Sequence, residues 1–198
     1  MGFLAGLPDM NRYELEEFIG DCRRIAGGCQ EPADCVLAIL PLMERLLAGD
    51  RSFIRPQHLL SNPDHYCRNA IYISADGNLS LFALVWLPGQ WTPVHDHGSW
   101  GVVGVLQGML EERSFMAVDG EIMANEGIRL RRGGVFVLPE KSLSSFVPNP
   151  DHIHMTGVPD TRPRAVTLHL YGRNMHSFHV YDVERGTRCL IDVPHHEA

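Results

Sequence analysis

Two histidines one residue apart, His95 and His97, stand in the stretch Trp91-Thr92-Pro93-Val94-His95-Asp96-His97-Gly98-Ser99-Trp100-Gly101. On a strand, side chains alternate in direction, so a pair at this spacing points to one face. Imidazole is the commonest metal ligand near neutral pH, and two on one face make half of a transition-metal site. A second informative stretch is Ala165-Val166-Thr167-Leu168-His169-Leu170-Tyr171. Its alternation puts Thr167, His169 and Tyr171 on one face and Val166, Leu168 and Leu170 on the other. If that polar face is buried, each group requires a hydrogen-bond partner. A relay meets the requirement: the Thr167 hydroxyl to His169, and His169 to the Tyr171 phenol. It would orient the Tyr171 hydroxyl as a proton donor or acceptor.

These residues need a scaffold, and the rest of the chain reads as one. Residues 9 to 48 have helical periodicity. Asp9 or Asn11 caps a first helix that stops at Gly27-Gly28. A second begins near Pro32 and carries Val36, Leu37, Ile39, Leu40, Met43, Leu46 and Leu47 to Gly49. Pro41 interrupts it, which predicts a kink or two short helices. Such helices either pack on a barrel wall, the expected case, or bind a partner.

From Tyr66 onward the pattern turns to short strands punctuated by Gly, Pro and Asp. They are expected at 68–74, 79–87, the His95 stretch, 102–106, 108–118, 128–130, 135–138, 145–147, 152–156, 165–171, 178–182 and 189–193. Turns are expected at Asp76-Gly77-Asn78 and Asp119-Gly120. So many short strands imply a sandwich or barrel. At 198 residues the chain is expected to form a single domain, with a helical segment at 1–50 and a barrel at 60–193.

A formal charge of -7 argues against nucleic-acid and anionic-membrane partners. No apolar run approaches the roughly 18 residues of a membrane span. The start, Met1-Gly2-Phe3-Leu4, lacks the features of a signal peptide. The five cysteines are odd in number and lack CxxC spacing, so they read as reduced thiols of a cytoplasmic protein.

The spacing Gly89-x5-His95-x-His97-x3-Gly101-x6-Gly108 resembles the first motif of cupins, and Gly133-x5-Pro139 resembles the start of the second. The usual cupin pattern carries a glutamate ligand where this chain has Gly101. Together with Tyr66-Cys67-Arg68-Asn69, Ile153-His154-Met155 and the relay stretch, these segments resemble the cysteine dioxygenase family of small-thiol dioxygenases. The resemblance covers residues of about 60 to 185.

It implies an all-β cupin double-stranded β-barrel (a jelly roll) with N-terminal α-helices packed against it. It further implies Fe(II) held by His95, His97 and His154, with Thr167, His169 and Tyr171 as the relay. The substrates would be a small thiol and O2, and the product a sulfinic acid. His152 rivals His154 as the third ligand, because it lies two residues earlier and shares its face. His154, between apolar Ile153 and Met155, is favoured over His152, which follows the turn Asn149-Pro150-Asp151.

Arg68 matches the residue that holds the substrate carboxylate in the cysteine-oxidising branch, and its planar fork of donors suits that task. Arg173 is either a second anion contact or solvent-exposed. No cysteine lies near Gly101, so Tyr171 is expected to lack the thioether crosslink of the animal enzymes. Gly101 and Gly172 are commoner in 3-mercaptopropionate-type members, so cysteine and 3-mercaptopropionate both stay open. Trp91, Trp100, Phe82 and Trp86 are candidates for walling off water. A dioxygenase acting on a diketone-type carbon substrate and a metal-binding cupin without oxygen chemistry are the rival readings. Oligomeric state, monomer or small homo-oligomer, stays open.

Overall fold

The computed structural model describes residues 13–148 and 152–196. Asp9, Asn11 and the turn Asn149-Pro150-Asp151 lie outside the described residues. Two helices come first, α1 (Leu15–Gly28) and α2 (Pro32–Ala48). Glu14 stands at the start of α1, where its backbone N–H donates to the Glu17 carboxylate at 3.0 Å. This reciprocal arrangement satisfies one of the donors a helix start leaves over. Pro32 opens α2, which runs unbroken through Pro41, so the expectation of two short helices is corrected. Burial of Val36, Ile39, Met43, Leu46 and Leu47 against the barrel outweighs the hydrogen bond that Pro41 removes.

Eleven strands follow among the described residues: β1 (Cys67–Ile73), β2 (Ser80–Trp86), β3 (Val94–His95), β4 (Gly101–Gln107), β5 (Met109–Ala117), β6 (Leu130–Pro139), β7 (Leu143–Phe146), β8 (Ile153–Gly157), β9 (Ala165–Tyr171), β10 (Ser177–Asp182) and β11 (Thr187–Asp192). They form two antiparallel sheets, ordered β1-β2-β9-β4-β7 and β11-β10-β3-β8-β5-β6. This is the expected mostly-β architecture, a cupin barrel with two N-terminal helices.

Two sequence expectations shift. Of the run expected at 128–130 only Leu130 is in a strand, and it belongs with the run at 135–138 to one strand, β6, which passes through Gly133-Gly134 because β5 pairs with it along its length apart from one register shift. The His95 strand shrinks to two residues, so His97 lies beyond it rather than on it.

The first sheet is buried on both faces, which explains its apolar strands. Leu81, Ala83, Val85, Val166, Leu168 and Leu170 pack with the helices. Phe82, Leu84, Trp86, Val103, Val105 and Tyr171 turn inward, where they meet Leu110 and Phe178 of the other sheet. Period-two alternation thus sends the polar face of β9 into the barrel, not to water.

Candidate active site

His95 lies directly opposite His154 in the pairing of β3 with β8, which brings their ring centroids to 4.7 Å. The chain then bends through Asp96 and Gly98, whose φ of +53° favours glycine. The bend returns His97 to the same space, 4.8 Å from the His95 ring and 4.9 Å from the His154 ring. One ligand-capable atom from each of the three falls within 4.8 Å of the others.

All three imidazoles are buried. Burial, reinforced by their mutual proximity, lowers the pKa of His95 and His97 well below the ordinary range. That of His154 is lowered chiefly by burial, against an opposing bond to Glu112. The three are therefore neutral with lone pairs available at neutral pH.

Two buried ring nitrogens, Nδ1 of His97 and Nε2 of His154, have no hydrogen-bond partner among the described residues. A polar atom left this way costs about 1–3 kcal/mol, which a metal ion would offset. His95 donates from Nδ1 to Pro93 O at 3.0 Å, which leaves Nε2 for a metal. The donor set therefore fits a divalent transition metal.

Support comes from residues that spacing did not single out. Glu112 is buried on β5 and accepts from His152 Nε2 at 3.0 Å and from His154 Nδ1 at 3.4 Å. Burial raises its pKa, but the two imidazole bonds outweigh this and hold it below the usual carboxylate range. His152 thus turns to Glu112, beside the trio, although Glu112, His152 and His154 make a second close group. Glu112 shares its strand face with buried Leu110, but Glu111 and Arg113 on either side mask that alternation in the sequence.

Asp96, between the two histidines, is 1% exposed. It accepts from the His179 backbone N–H at 3.1 Å, His179 Nδ1 at 3.1 Å and Tyr181 Oη at 2.8 Å. These bonds pin β3 to β10.

Across the barrel, Thr167 Oγ1 lies 2.9 Å from His169 Nε2, and His169 Nδ1 lies 3.2 Å from Tyr171 Oη. The chain begins one step earlier than expected, because Trp86 Nε1 donates to Thr167 Oγ1 at 2.9 Å. An indole nitrogen only donates. Among the described residues, His169 Nε2 is the acceptor in reach of the Thr167 hydroxyl proton. His169 therefore carries its proton on Nδ1 and donates to the phenol oxygen, leaving the Tyr171 O–H free to donate onward. Burial pushes the His169 pKa down to about 3 and that of Tyr171 up. The Tyr171 ring lies over His97 at 5.8 Å.

Arg68 is 5% exposed. Its guanidinium meets carbonyl oxygens, Val193 O at 3.1 Å and Met175 O at 2.5 Å, and lies 4.6 Å from the Phe82 ring centroid. Tyr66, stacked on Trp86 at 4.6 Å, is a further aromatic of this site. Arg173 is not brought here: its guanidinium donates to Ser177 O and Met175 Sδ. Of the candidate aromatic walls, Phe82 and Trp86 face inward. Trp100 packs on the helix side, and Trp91 lies under Arg113.

Gly101 pairs with Tyr171 across the sheet. A Cβ at Gly101 would run into the ring of Phe146, which stacks on His97 at 4.1 Å. An aromatic ring thus fills the place where a carboxylate or cysteine side chain would begin.

At the level of fold, the chain is similar to a protein with a double-stranded β-helix domain from Klebsiella pneumoniae subsp. pneumoniae MGH 78578. The two are 13% identical over 67% of this chain and 98% of that one, with a TM-score of 0.48. A Thermus thermophilus protein is 18% identical over 61% of this chain and 96% of its own, with a TM-score of 0.44. The family model for cysteine dioxygenase type I matches residues 55–185, the span that contains the histidine trio, the relay and Arg68. The chain belongs to the cysteine dioxygenase type I family.

Proposed function

We propose that this protein is a non-haem iron(II) thiol dioxygenase that adds both atoms of O2 to the sulfur of a small thiol carboxylic acid, cysteine or 3-mercaptopropionate. The product is the sulfinic acid. The observation that carries this reading is the convergence, in one buried space, of three neutral imidazoles and the hydroxyl–imidazole–phenol chain ending at Tyr171.

Iron(II), when held by His95, His97 and His154, supplies the Lewis acidity that favours a thiolate and the redox chemistry toward O2. Neutral ligands leave the ion's charge uncompensated for an anionic sulfur. Phe146 occupies the Gly101 side, where a side chain at position 101 would otherwise begin. The relay fixes the Tyr171 hydroxyl so that its proton is offered to the reacting group, with no reorganisation needed. Arg68, buried among carbonyls, receives the carboxylate of the substrate through charge-assisted hydrogen bonds.

The test is oxygen uptake by iron-loaded protein with cysteine, 3-mercaptopropionate and cysteamine, which lacks a carboxylate, and the product identified by mass spectrometry. Uptake with a carboxylate-bearing thiol and recovery of its sulfinic acid are expected. No uptake with any of the three overturns the reading. Arg68→Ala should raise KM for carboxylate-bearing thiols about ten- to a hundredfold, the effect of about 1.5–3 kcal/mol from a charged hydrogen bond. An unchanged KM would remove Arg68 as the anchor.

A further inference from the structure

After β11 the chain leaves the edge of one sheet and crosses to the edge of the other. Val193 N–H donates to His176 O at 2.7 Å; His196 N–H then donates to Arg68 O, and Ala70 N–H to His196 O, both at 2.8 Å. Asn69 and His196 make a parallel bridge. The segment 193–196 is thus a strap that staples the β11 edge of one sheet to the β1 edge of the other, using main-chain bonds on both sides. It also fixes Arg68, whose guanidinium donates to Val193 O at 3.1 Å.

The strap carries His195 inward. Its ring lies 5.4 Å from the Phe82 ring, the same ring that the Arg68 guanidinium covers at 4.6 Å. A cleft of about 440 Å³ opens beside them, lined by Tyr66, Arg68, Val193, His195 and His196 among others. Its volume lies within the range of small-molecule sites.

We propose that His195 is a specificity-determining residue, which donates a ring N–H to the carboxylate of the thiol acid alongside Arg68. This rests on the reading of the site as one for thiol carboxylic acids. The chemistry follows from the groups assembled. A carboxylate offers two oxygens, each able to accept more than one bond. Two of the guanidinium's five N–H groups are committed to carbonyls, so the three that remain cannot fill every acceptor position of the two oxygens. An imidazole against the same apolar ring supplies a further donor, and the ring keeps water from that side.

The experiment compares wild type, His195→Ala and His195→Gln, each iron-loaded. Calorimetry without oxygen measures binding of 3-mercaptopropionate, cysteine and cysteamine, and steady-state kinetics separate KM from kcat. His195→Ala should weaken binding and raise KM for the two acids about ten- to a hundredfold, as one hydrogen bond to a charged group requires. Iron content, kcat and cysteamine binding should not change. His195→Gln, which keeps an N–H donor, should recover part of the loss. Unchanged binding of the acids in His195→Ala overturns the proposal. So does an equal loss for cysteamine, or wild-type protein that binds neither acid. Wild type that binds the acids in a His195-dependent way yet consumes no oxygen would leave this assignment standing and defeat the proposed reaction alone.

Discussion

His152 and His154 are two residues apart and both reach toward the barrel interior, yet they face different partners. His154 offers an unpartnered, buried Nε2 to the other two imidazoles, whereas His152 spends its Nε2 on Glu112. The difference is measurable. His154→Ala should remove a ligand and abolish stoichiometric iron after loading and desalting. His152→Ala should keep the iron with affinity reduced about 10–100-fold, the usual effect of losing an outer partner of a ligand. Metal analysis of both variants decides it, and iron retained in His154→Ala but lost in His152→Ala would exchange their roles. The sequence favoured His154 because of its apolar neighbours, and those neighbours mark the strand that holds it. Glu112, which makes the distinction physical, was hidden in a run of charged residues, Glu111-Glu112-Arg113. Only the pairing of β5 with β8 shows that it points inward.

Strands with a strong alternation are legible from residue order alone. β9 is the best case, because a central strand buried on both faces must sort its polar and apolar residues by face. β3 is the opposite case. Two residues carry too little pattern to be read, and their placement depends on Asp96 contacting His179 and Tyr181 more than 80 positions away. That dependence yields a prediction for Asp96→Asn. An amide has one acceptor oxygen and presents a donor where His179 and Tyr181 already donate. The variant should lose about 2–3 kcal/mol of stability at neutral pH, the worth of hydrogen bonds to a buried charge. Loosening of β3 should also weaken iron binding, because His95 and His97 flank the altered residue. Urea denaturation of metal-free protein and iron titration check the two effects. Stability and affinity equal to wild type would show that β3 is held by its backbone pairing alone.

The barrel as a whole places neutral imidazoles in an apolar interior, and this couples its stability to pH. His169 belongs to the relay, on the wall opposite the histidine trio. Its pKa falls from the ordinary 6.5 to about 3, chiefly through burial and further through His154 and Arg68. Below pH 6.5 the unfolded chain takes up a proton that the folded barrel refuses, so the contribution of His169 is lost as pH falls. The slope is about 1.4 kcal/mol per pH unit once the unfolded imidazole is protonated, and it flattens again near the folded value. His58, also buried, shifts in the same direction and steepens the total. His169→Gln retains hydrogen-bonding groups between Thr167 and Tyr171 but cannot take up the proton. Stability of metal-free wild type and of this variant, measured in urea from pH 7 to 5, should therefore converge as the solution is acidified. The two curves should close at about one proton's slope. Parallel curves would mean that the His169 imidazole is protonated as readily in the barrel as in the unfolded chain. The buried, neutral relay from which the Tyr171 hydroxyl takes its direction would then be lost.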